Sequence, residues 1–159
     1  MIIFINGPIN AGKTTVGKLL KEKIGNTALV EIDSLREMID WMPIEASIPL
    51  NLENAVSVIK NFVNRGLNVI VPYPLSKENY EYMRNSLEDL NTKMHFFTLA
   101  PELESALRNR GNRELGEDEK ERVKHLYKIG IASPSFGEVI DNTHQTPEET
   151  TDYILNRIA

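Results

Sequence analysis

The sequence predicts an α/β fold, a parallel sheet covered by helices on both faces, and three observations carry that prediction. Short apolar runs of strand length alternate along the chain with longer segments of helical period. A glycine-rich turn stands between the first apolar run and the first helical segment. No repeat, low-complexity tract or linker composition interrupts the 159 residues, so one domain spanning 1–159 is expected.

Strands are expected at 2–6, 28–32, 68–71, 94–99 and 138–140, where β-branched and other apolar residues run without helical spacing. Helices are expected at 13–24, 35–41, 53–65, 77–90, 102–108, 118–129 and 147–157. Gly25 and Gly66 are placed to close helices. Thr146-Pro147-Glu148-Glu149 opens one with a cap, a proline at the first helical position and an acidic first turn. Two segments resist assignment. Residues 42–51 (MPIEASIPLN) carry two prolines and no clear period, and 108–116 is short, charged and broken by Gly111; both read as connections, with a binding loop or lid as the functional option.

Composition narrows the chemistry. With no cysteine there is no disulfide framework, thiolate metal site or cysteine nucleophile, and a cytoplasmic setting is expected. The formal net charge of −5 gives no general attraction to nucleic acid or anionic lipid. One local exception is 108–128, where seven cations stand against five anions. The apolar opening MIIFIN lacks a basic flank and ends at Gly7 and Pro8, far short of a membrane span. Neither a nucleic-acid nor a membrane partner is expected, and oligomeric state stays open.

Gly7-Pro8-Ile9-Asn10-Ala11-Gly12-Lys13-Thr14 fits G-x-x-x-x-G-K-[ST] between a predicted strand and a predicted helix. Glycines let successive backbone N–H groups converge on one phosphate, and the helix adds its positive end. Gly7, Asn10, Ala11, Gly12, Lys13, Thr14 and Thr15 are the expected nucleotide contacts, with Lys13 reaching the β- and γ-phosphates and the Thr14 hydroxyl a ligand for Mg²⁺. A regulatory GTPase would add D-x-x-G and N-K-x-D motifs, and a motor-type ATPase an apolar strand ending in Asp-Glu; all are absent. The small-kinase pattern remains.

Asp33 follows the apolar run 29–32. At the end of a second strand it would face the transferring phosphate, either as general base toward an acceptor hydroxyl or as a ligand to metal-bound water. A helix cap is the plainer role. Ser34 and Arg36 are placed to hold a polar acceptor. Arg110 and Arg113 flank Gly111 in RGNR, a lid-like segment (about 108–118) that would bring cations to the transferring phosphoryl group, with Arg108 and Arg122 at its flanks. A solvated basic loop is the alternative. His95, His125 and His144 show no metal-ligand spacing, and Met38, Trp41 and Met42 suit either an acceptor wall or core packing.

With these residues in order, GPINAGKTT, the DSL of Asp33-Ser34-Leu35, GLNVIV, RGNR and VIDNTH, the chain resembles the small P-loop kinases, in particular the chloramphenicol phosphotransferase-like family and more distantly the shikimate kinases. The resemblance implies a P-loop kinase fold whose five-stranded parallel sheet has order 2-3-1-4-5, with a short lid. It implies phosphorylation of a small-molecule hydroxyl by ATP with Mg²⁺. It carries Lys13 and Thr14 onto phosphate and metal, Asp33 onto the base, Arg110 and Arg113 onto the lid, and Thr143 beside adenine. After the third strand the family pattern continues with acidic residues, whereas this chain reads Val71-Pro72-Tyr73-Pro74-Leu75; Tyr73 is expected instead in the acceptor site, facing the crevice between Lys13 and Asp33. Antibiotics are among the acceptors to consider. Two further readings stay open: a nucleotide-binding module without efficient transfer, and a nucleoside or nucleotide kinase.

Overall fold

A computed structural model describes residues 1–108 and 114–159. Five parallel strands, β1 (Ile2–Asn6), β2 (Thr27–Leu29), β3 (Asn68–Pro72), β4 (Met94–Leu99) and β5 (Glu138–Ile140), form one sheet of order β2-β3-β1-β4-β5. Among the described residues the helices are α1 (Lys13–Ile24), α2 (Ile32–Arg36), α3 (Ile44–Val63), α4 (Lys77–Ser86), α5 (Leu103–Leu107), α6 (Glu117–Lys128) and α7 (Pro147–Ile158). None is long and apolar enough to cross a membrane.

Central β1 explains why its sequence is a continuous apolar run. Its side chains alternate between two cores, Ile2 and Phe4 on one face and Ile3 and Ile5 on the other, and all four are fully buried. The first core takes Leu52, Ala55 and Ile59 of α3 and Met83 of α4; the second takes Val16 and Leu20 of α1 and Ile154 of α7. The strand ends in a buried amide. Asn6 donates to Thr98 Oγ1 (3.0 Å) and to the Ile131 carbonyl (3.3 Å) and accepts from the Leu75 N–H (2.7 Å). One side chain thus ties three segments at the C-terminal edge of the sheet, where a parallel α/β fold places its ligand crevice.

Three elements differ from the sequence reading. The β2 strand stops at Leu29 rather than at residue 32, because Val30 makes the last sheet bond, to the Ile70 carbonyl, and Ile32 already begins α2. The expected helix 35–41 accordingly starts three residues early and closes in a tight 3₁₀ turn, Glu37–Ile39, leaving Met38 (79%) and Trp41 (76%) exposed, in neither the core nor an acceptor wall. Most consequential, 42–51 is no loop: α3 runs from Ile44 with Pro43 at its cap and Pro49 inside it. An interior proline costs about 3 kcal/mol. Full burial of Leu52 and Ile59 outweighs it, at about 1.5–3 kcal/mol each. The apolar period was hidden because two residues on the buried face, Ser47 and Asn51, are polar.

Candidate active site

The turn from β1 to α1 forms the floor of a cleft of about 830 Å³. Gly7 sits at φ +141°, and a Cβ there would collide with the Leu99 carbonyl oxygen. Asn10 (φ +66°) and Gly12 (φ +96°) also take left-handed conformations, which fold the loop back over the start of α1. No side chain caps that helix end and no acid occupies its first turn, so its positive end faces the cleft, the arrangement that receives phosphate. Lys13 Nζ donates to the Pro8 carbonyl (2.7 Å), folded over the loop it would leave on reaching a phosphate. Thr14 and Thr15 open to the same cleft.

Asp33 lies across from this floor. It sits in the first turn of α2, four residues beyond the end of β2, and so not at a strand end as expected. Glu31 occupies the cap position, and among the described residues the Asp33 side chain caps nothing; its exposed carboxylate opens into the cleft that Lys13 and Thr14 line. Arg36, three residues on and therefore on the same helical face, lines the cleft too. Ser34 does not: it turns to a separate shallow depression beside Leu35, Val58 and Phe62.

Tyr73 lines the cleft with Lys13 and Asp33, while its ring packs against the core beneath α3. Burial pushes its phenol pKa up. The Asp33 charge adds to that shift, and the charges of Arg122 and Arg36 oppose it. All three charged groups line the same cleft as Tyr73. Arg122 comes from α6 and completes the wall opposite α2.

Two asparagines were not singled out by the sequence. Asn51, 2% exposed, lines the cleft from α3 with its Oδ1 buried and unpartnered. Asn142, 3% exposed, donates to the Ala11 carbonyl (2.9 Å) and leaves its own Oδ1 unpartnered beside the phosphate loop. Arg36 Nε is a third buried orphan in this cleft. A buried polar atom without a partner costs about 1–3 kcal/mol, and these three around one cavity are free to bond a polar ligand. The periodic pattern gives no signal for Asn51; the DNTH motif brackets Asn142 but points to its neighbour. That neighbour, Thr143, works as a clasp. Its hydroxyl donates to Asp141 Oδ1 (2.5 Å) and accepts from the Glu102 N–H (2.8 Å), and these Thr143 bonds hold the Asp141 carboxyl below the usual range.

Asn10 has a second task. Its Nδ2 donates to the carbonyls of Ala106 (2.8 Å) and Arg108 (2.9 Å), anchoring the end of α5 to the phosphate loop. Arg110 and Arg113 lie outside the described residues; Arg108 itself pairs at the surface with Glu104 (3.8 Å). The three histidines stay apart from the cleft, and among the described residues no cluster of three acids or histidines could hold a metal by itself.

Against known proteins, the chain resembles the tunicamycin resistance protein of Deinococcus radiodurans at 19% identity, covering 99% of this chain and 95% of that one with a TM-score of 0.73. The Mycobacterium tuberculosis APS kinase in complex with AMPPNP and APS gives 18% identity, coverage of 99% and 96%, and a TM-score of 0.72. The Acinetobacter baumannii shikimate kinase in complex with shikimate gives 20%, coverage of 99% and 92%, and 0.63. These likenesses establish the P-loop kinase fold. Comparison with curated protein sequences finds no match. A family model described as chloramphenicol phosphotransferase-like protein matches residues 1–159 throughout. With a phosphate loop, an uncommitted carboxylate and a lined cleft assembled on that fold, the chain belongs to the chloramphenicol phosphotransferase-like family of kinase-like phosphotransferases.

Proposed function

We propose that this protein, acting as one kinase domain, transfers the γ-phosphoryl group of ATP to a hydroxyl of a small molecule. The observation that carries this reading is the convergence of Lys13, Thr14 and Asp33 on one cleft large enough for a nucleotide and a modest acceptor. The loop N–H groups and the start of α1 hold the β- and γ-phosphates. Lys13 leaves the Pro8 carbonyl to neutralise charge that grows on the transferring group. Asp33 orients the acceptor hydroxyl and takes its proton as the new O–P bond forms; the bond from the γ-phosphorus to its bridging oxygen breaks, and ADP leaves with that oxygen.

Thr14 and Asp33 present hard oxygen donors to the same cleft, and neither side chain is hydrogen-bonded among the described residues, which suits Mg²⁺. When bound, that ion supplies neutralisation of the β- and γ-oxygens. With only these two donors it is expected to bind together with the nucleotide. In this reading Arg110 and Arg113 reach the phosphates from the segment between α5 and α6, and a cytoplasmic setting, where ATP is plentiful, suits the chemistry. The test is ADP release by purified protein with ATP and Mg²⁺, measured against a library of hydroxyl compounds that includes antibiotics. Acceptor-dependent release supports the reading; ATP binding with no acceptor-dependent release from any compound points to a binding module.

A further inference from the structure

Besides Lys13, two cations of the described residues line the cleft near Tyr73. Arg36 on α2 and Arg122 on α6 line it from opposite walls, and among the described residues neither has a carboxylate within ion-pair distance. Arg36 Nε is buried and, among the described residues, has no hydrogen-bond partner. Three carboxylates share the cleft. Glu119 is engaged with the Gly116 N–H at the start of α6, Glu37 is exposed at its rim, and Asp33 is the group facing the hydroxyl. Lining the same cleft, buried Asn51 offers an unpartnered oxygen and Tyr73 a hydroxyl.

We propose that the acceptor is a small hydroxylated anion, its carboxylate, sulfate or phosphate seated between Arg36 and Arg122 and its reacting hydroxyl at Asp33. This rests on the kinase reading for the role of Asp33, but the anion site stands on the arginines. A planar guanidinium with an unbonded Nε–H, as on half-buried Arg36, matches a two-oxygen anion, and Arg122, exposed on α6, adds its charge from the other wall. Asn51 Oδ1 then accepts from a second hydroxyl of the same compound, so a polyhydroxylated acid satisfies that oxygen and also brings the negative charge that the two guanidinium groups attract and a neutral acceptor lacks.

The test uses matched pairs, sugar acids and other hydroxy acids against their neutral methyl esters and sugar phosphates against the parent sugars. Binding is measured by calorimetry with a non-hydrolysable ATP analogue and Mg²⁺ present, and transfer by ADP release. The anionic member should bind better than its neutral partner. Arg36→Gln and Arg122→Gln should each weaken it by about 10- to 100-fold, the scale of one hydrogen bond to a charged group, with Arg36→Lys recovering part of the loss. Nucleotide affinity in every variant reports that the fold is intact. The carboxylate and phosphate arms tell which anion is preferred. If anions bind in an arginine-dependent way and nothing is phosphorylated, the anion site stands and the kinase reading falls. If neutral acceptors are phosphorylated equally well by both arginine variants, or if no anion outbinds its neutral partner, the anion site is overturned.

Discussion

The floor of the cleft and its acceptor wall are built by different rules. The floor is eight consecutive residues whose backbone does the work: left-handed turns at Asn10 and Gly12, a glycine jammed against the Leu99 carbonyl, and an uncapped helix end. The wall takes Asp33 and Arg36 from α2, Asn51 from α3, Tyr73 from the turn after β3 and Arg122 from α6, single side chains drawn from four separate segments of the chain. In the proposed reading the floor receives a phosphate common to all nucleotides, and the wall's orphaned atoms, Arg36 Nε and Asn51 Oδ1, recognise the acceptor. General recognition sits on backbone and local sequence; specific recognition sits on scattered side chains.

Breaking the wall at its chemical centre should have the largest effect. Asp33→Asn keeps size and removes basicity, so turnover should fall by about 10²- to 10⁴-fold with nucleotide affinity nearly unchanged. Steady-state kinetics beside calorimetry with the ATP analogue check this, and retained turnover would reduce Asp33 to a structural residue. Breaking the floor comes next. Lys13→Ala should lower turnover by about 10²- to 10³-fold, the scale of removing one preorganised transition-state donor, with an unchanged circular dichroism spectrum. Wild-type turnover in that variant would detach this loop from the reaction.

Asn51→Leu sharpens the contrast between stability and function. It deletes an unpartnered buried oxygen at similar volume, so the denaturation midpoint should hold or rise while acceptor affinity drops by about 10-fold. A clear loss of stability would mean that Asn51 is satisfied within the fold. The smallest effect concerns Tyr73. Burial, reinforced by Asp33 and opposed by Arg122 and Arg36, raises its folded-state pKa above the ordinary value of about 10. Its contribution to stability is therefore complete below that unfolded-state value and is lost as pH rises through the folded one. Phenolate absorbance should show a tyrosine titrating above about 10 that is missing in Tyr73→Phe; titration of Tyr73 at or below about 10 would contradict its burial at the cleft.

Legibility in the sequence divided along the same line. The central strand, the phosphate loop and α1 were readable because adjacent residues fix them, as was the Thr146–Glu149 cap, whose reciprocal bonds the structure shows (3.1 and 2.8 Å). The α3 helix was not, since two prolines and two buried polar residues, Ser47 and the cleft-lining Asn51, erased its period. Tyr73 and Arg36, which line the cleft, stood out in the sequence because each lies near a motif. Asn51 and Asn142 were missed because their roles arise from what surrounds them in space, and Ser34, one residue from Asp33, turned away because neighbours on a helix face different directions.

The central claim is that the floor delivers a phosphoryl group to a hydroxyl held at Asp33, and mass spectrometry of the acceptor pool after incubation with ATP and Mg²⁺ tests it most directly. Wild-type protein should add one phosphoryl unit to a hydroxyl compound, and Asp33→Asn, still binding nucleotide, should add almost none. A pool left unmodified by wild-type protein, or modified equally by both, would contradict the account.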